Sequence, residues 1–207
     1  MISVITKELR EHAPFTALGA VVGVVILVAI VLADVSGDFS ETLFEIFHPA
    51  HVVFSAIATT AIYRLYTKSR WWAAILIGYT GSIGIATLSD SLIPYLGETL
   101  LDLPNAEAHV GFIEEWWIVN PMAFLGIAIG FLRPMSKFPH AGHVLLSTAA
   151  SLFHITMALD NEMEWILVLP IFVFLVLAVL LPCCMSDVIY PLLFTGKNGE
   201  IHSHHHH

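Results

Sequence analysis

Two stretches of this chain carry the same chemistry-bearing residues at the same spacing. His48-Pro49-Ala50-His51-Val52, with Ser55, returns as His140-Ala141-Gly142-His143-Val144, with Ser147. Downstream of each comes a matching acid, Ser89-Asp90 with Pro94 and Leu96, then Ser186-Asp187 with Pro191 and Leu193. Positions i and i+3 share a helix face, so the two histidines of each pair can turn toward one ion, with the serine a turn further along. Two imidazoles and a carboxylate suit Zn²⁺ or Fe²⁺, with the remaining positions open to water or substrate. The expected metal ligands are therefore His48, His51 and Asp90 in one set, and His140, His143 and Asp187 in the other. Ser55, Ser147, Glu45 and His109 are candidates for a supporting layer. The competing explanation is structural polar pairing between neighbouring helices.

The surroundings of these residues sharpen the expectation. Hydrophobic residues make up 57% of the chain and charged residues 12%, with a mean hydropathy of +0.81, which places it among membrane proteins. Apolar stretches near 14–33, 46–66, 71–96, 115–133, 139–159 and 165–194 are each long enough to cross a bilayer. Histidine and aspartate are costly there and mark function more often than in water. No serine nucleophile elbow, phosphate loop, dinucleotide fingerprint or zinc-protease motif is present. The acidic balance, with net charge −9, gives no support for nucleic-acid binding.

Lys7, Arg10, Arg64, Lys68, Arg70, Arg133, Lys137 and Lys197 all fall on one side of the six expected spans. The positive-inside bias makes that side cytoplasmic, with both termini inside and an acidic outer face. Those outer acids would enrich cations near the mouth of the bundle. Two adjacent cysteines, Cys183 and Cys184, exclude a disulfide framework and read as packing residues.

Residues 48–59 and 140–151 share five identities in twelve positions, and 89–96 and 186–193 share four in eight. Pro14, Leu18, Gly19 and Gly23 match Pro121, Leu125, Gly126 and Gly130 in the same order. The expected fold is thus an all-α integral membrane protein of six transmembrane helices, arranged as two inverted-topology three-helix repeats. The first repeat covers 1–100, the second 101–201, and 202–207 is a His-rich tail, native or tag. Three spans per unit place the first set of ligands toward the outer half and the second toward the cytoplasmic half. The glycines of spans 1 and 4 are expected at helix contacts.

Inverted repeats with a ligand set in each half suggest a divalent transition-metal cation transporter. The alternative is an intramembrane metal-dependent hydrolase acting on a lipid-like substrate, in which the ion activates water. A haem-binding redox protein stands third. Expected partners are the lipid bilayer and a divalent cation, with a homo-oligomer left open. The sequence does not decide between transporter and enzyme, and it assigns no catalytic residue.

Overall fold

The computed structural model describes residues 2–33, 37–67, 71–132, 137–159, 165–184 and 189–194, and among them there are helices and no strand. The helices are α1 (Ile2–Leu32), α2 (Gly37–Tyr66), α3 (Trp71–Thr87), α4 (Ile93–Leu100), α5 (Gly111–Glu114), α6 (Trp116–Leu132), α7 (Lys137–Ala158), α8 (Val168–Cys184) and α9 (Tyr190–Leu193). Expectations that fall on Asp187, on the side chains of His140, Cys183 and Cys184, and on the tail 202–207 lie outside the described residues.

Three helical stretches are long and apolar enough to cross a membrane: Gly37–Leu65, Trp71–Leu100 and Trp165–Pro182. Ala17–Leu32, Trp116–Leu132 and Gly142–Ala158 are apolar but shorter. The bundle is apolar on its outside, with Leu18, Val25, Leu125, Leu169 and Leu181 exposed. Its interior holds His48, His51, Asp90, His143, Ser147 and His154, all at 1% exposure or less. Leucine outside and histidine inside reverse the pattern of a water-soluble helix bundle, and such a surface suits lipid.

α2 is the hub, packing against α3, α6 and α7, while α1 packs against α7 and α8. The first three helices therefore do not form a bundle of their own. Glycines permit the closest approaches, as their spacing suggests. A Cβ on Gly126 would stand 2.4 Å from the Val53 carbonyl oxygen and 2.7 Å from the Ala56 Cβ, and one on Gly130 would stand 2.9 Å from the Ile57 carbonyl. On the other side of the bundle, a Cβ on Gly19 would meet the Thr148 hydroxyl at 3.0 Å, and Gly23 faces Thr148, Leu152 and Leu175.

The helix that carries Asp90 is irregular where it matters. α3 passes through a π-helical turn, Leu88–Leu92, into α4, and the Ile93 N–H reaches back to the Leu88 carbonyl. Pro94 gives the sequence reason, since it has no N–H to offer the Asp90 carbonyl four residues earlier. Turns of this kind widen the helix and recur at functional sites. Here Ser89, Asp90 and Ser91 are all buried in succession. The Ser151 hydroxyl of α7 donates to the Ser89 carbonyl at 2.9 Å, taking up an acceptor in the irregular turn.

Candidate functional site

Asp90 is the centre of the polar interior, and it is fully buried. His48 Nδ1 lies 3.0 Å and His51 Nδ1 2.6 Å from its Oδ2. The Ser89 hydroxyl donates to Oδ1 at 2.6 Å and the Ser147 hydroxyl at 3.2 Å. A carboxylate has about four acceptor sites, and these four bonds occupy them. A carboxylate accepts only, so both imidazoles carry their proton on Nδ1 when Asp90 is ionised. Their Nε2 atoms are then unprotonated, and that of His51 is in hydrogen-bond distance of His143 Nε2.

His51 Nε2 stands 3.3 Å from Nε2 of His143, with the two rings nearly perpendicular at 89°. His48 stacks on Phe44, centroids 5.2 Å apart, and Gly111 lies against its Cδ2 and Nε2. A Cβ on Gly111 would come within 2.7 Å of His48 Cδ2 and Nε2. Glycine at 111 lets this segment approach the imidazole closely.

The structure thus joins what the sequence pattern assigned to different depths. His48, His51 and Asp90 meet, and His143 and Ser147 meet them too. The reason is the packing of α2 against α7, which brings the second histidines of the two His-x-x-His pairs face to face. Asp90, expected as a ligand, holds both imidazoles on Oδ2 and both serine hydroxyls on Oδ1. Ser55 is buried on α2, one turn beyond His51.

Across the Phe44 ring from His48 lies a second polar layer. His154 Nδ1 is 2.7 Å from Glu98 Oε1, both residues at 1% exposure. The His154 ring is flanked by Phe44 at 5.4 Å and by His109 at 5.5 Å. His109 Nδ1 lies 3.4 Å from Glu114 Oε2. Glu115, in the turn ahead of α6, is half-buried, and its Oε2 has no hydrogen-bond partner among the described residues. Burial pushes its carboxyl above the ordinary range, opposed by the nearby His48 and reinforced by Glu45 and Glu114. Glu45 itself is exposed on α2.

Glu98 and His154 escaped the repeat argument because neither has a matching residue in the other half. Ser89 and Gly111 were legible only as a neighbour of Asp90 and a loop glycine. Among the described residues, no three His, Cys, Asp or Glu side chains converge so as to hold a metal ion by themselves. The chain matches no protein-family model, no curated protein and no solved structure.

Proposed function

We propose that this protein is a six-span membrane transporter of divalent transition-metal cations, zinc or iron foremost, whose cargo is held between His51 and His143. One observation carries the reading: the two Nε2 atoms are 3.3 Å apart, and His51 is backed on Nδ1 by a buried carboxylate. A tetrahedral ion bound at about 2.0–2.1 Å separates its ligand nitrogens by about 3.3–3.4 Å. A carboxylate on the far nitrogen is the usual support of a metal-binding imidazole, fixing its tautomer and raising its basicity. The other ligand positions fall to water and, in this proposal, to His140 and Asp187 of the second half. Outer acids gather the ion, and His48 stands between them and the core.

The inverted repeat belongs to the same proposal and is supported by paired contacts. Under the sequence match, α1 corresponds to α6, α2 to α7 and α3 to α8. Gly19 against Thr148 then corresponds to Gly126 against Ala56, and Gly23 against Leu152 to Gly130 against Thr60. His51 and His143 are each other's counterparts, so they lie where the two units meet. Sites at that place, formed jointly by both units, are common in secondary transporters built from inverted repeats.

The test is flux of Zn²⁺, Fe²⁺, Mn²⁺, Co²⁺ and Ni²⁺ into proteoliposomes. Uptake above empty vesicles, lost in His51→Ala and in His143→Ala, is expected. Uptake at the level of empty vesicles for all five ions would overturn the proposal. The fact that the described ligands form one cluster rather than two favours a second reading, the metal-dependent hydrolase, since an enzyme needs one site. Lipid amide or ester turnover lost in the same variants, without flux, would select it.

A further inference from the structure

The Glu98–His154 pair is not used by the core described above, yet it repeats the core's construction. In both places an imidazole is held through Nδ1 by a buried carboxylate, leaving Nε2 on the far side of the ring. His154 Nε2 is buried and has no hydrogen-bond partner among the described residues, and neither has Glu98 Oε2. A buried polar atom left without a partner forfeits its hydration, and two in one pair call for a ligand. The neighbours include one that can supply a second nitrogen. His109 stands 5.5 Å from His154, centroid to centroid at an interplanar angle of 69°, and is held through its own Nδ1 near Glu114. Two imidazoles sharing one tetrahedral ion place their centroids about 5 Å apart, given metal–nitrogen bonds of about 2.0–2.1 Å.

We propose that His154 and His109, oriented by Glu98 and Glu114, form an outer binding station for a divalent transition-metal cation, separate from the His51–His143 core. Phe44 separates the two places, stacked on His48 on one side and edge-on to His154 on the other. A cation drawn in by Glu45, Glu114 and Glu115 meets the outer imidazoles first and the core beyond the Phe44 ring. The station deepens the transport reading by giving the cargo a stopping point on its way in. Two successive weak sites also suit passage better than one tight site, because an ion must leave as readily as it enters.

The experiment counts zinc and cobalt equivalents by equilibrium dialysis on the full chain, with His202 and His204 to His207 replaced by serine. Two equivalents are expected for that protein and one for His154→Ala. His51→Ala/His143→Ala should keep the outer equivalent. Glu98→Gln, which preserves shape, should weaken the outer site about 10–100-fold, the usual effect of losing a supporting carboxylate. Unchanged binding in His154→Ala and Glu98→Gln, with helical signal and elution intact, would overturn the station; if His154→Ala does not fold, Glu98→Gln decides alone. Two equivalents without flux would uphold the station and remove the transport reading. Flux with one equivalent, lost only in the core variants, would do the reverse.

Discussion

At the scale of residues, the interior is organised by carboxylates that orient imidazoles. Asp90 has its four bonds among described groups, and an Asp90→Asn change keeps the shape while removing the negative charge that supports the two imidazoles. The expected result is a core cation affinity reduced about 10–100-fold, read by dialysis with the outer site as internal reference; an unchanged affinity would mean that Asp90 does not support the ligands. Glu115 allows a pH prediction with a definite sign. Its folded carboxyl holds its proton to higher pH than the ordinary value of 4.5. As pH rises above that ordinary value, the unfolded chain releases the proton first, so folding loses stability until the folded group has titrated too. Glu115→Gln should therefore raise the melting temperature at neutral pH while lowering cation uptake at limiting concentration. A melting temperature that falls, or does not move, would contradict the burial argument. The His-x-x-His pairs and Asp90 were legible because their types are rare in apolar sequence. Which nitrogen faces which partner was not, since that depends on helix rotation and on a neighbour 92 residues away.

Among the elements, two devices set the geometry: close glycine contacts and the π turn. Gly126 lies against the backbone of α2, whereas Gly84 has open space around its Cβ position. Gly126→Ala should destabilise by about 1–3 kcal/mol, the usual cost of overpacking, and Gly84→Ala should be neutral, both read as thermal unfolding in detergent. Equal effects at the two positions would show that helix propensity, not the contact with α2, governs them. Pro94→Ala restores an N–H that can pair with the Asp90 carbonyl. The turn should then tighten toward regular helix, and core affinity should drop while the fold survives. The glycine contacts were readable from spacing, because small residues four apart are a packing signal in apolar helices. Proline announced a break near Pro94, but the choice of a π turn over a kink depends on Ser151 reaching the Ser89 carbonyl, a tertiary contact.

For the whole molecule, the six-span proposal makes a claim about sidedness that can be tested. All eight basic residues fall in segments that six spans place on one side. With Cys183 and Cys184 replaced by serine, single cysteines at Gly37 and Asn105 should react with an impermeant maleimide from outside intact cells, and one at Thr67 should not. Labelling of all three, or of Thr67 alone, would break the six-span proposal. Class and helix content were plain from composition. The meeting of His51 with His143 was hidden, because the pattern gives each helix a direction but not how far two helices slide past one another. That sliding put His143 beside His51.

The π turn also sets the phase of its helix. Asp90 and Glu98 are eight positions apart, and regular winding at 3.6 residues per turn would leave them about 80° out of step. The looser turn between them absorbs part of that angle, and both side chains end up buried, at 0% and 1% exposure. Core and outer layer are therefore geared to one another through a single strip of backbone. Deleting one residue there, Leu92 for example, would leave the two carboxylates seven positions apart, within about 20° of one face under regular winding, so the shortened helix should lose its π turn and keep both carboxylates inside.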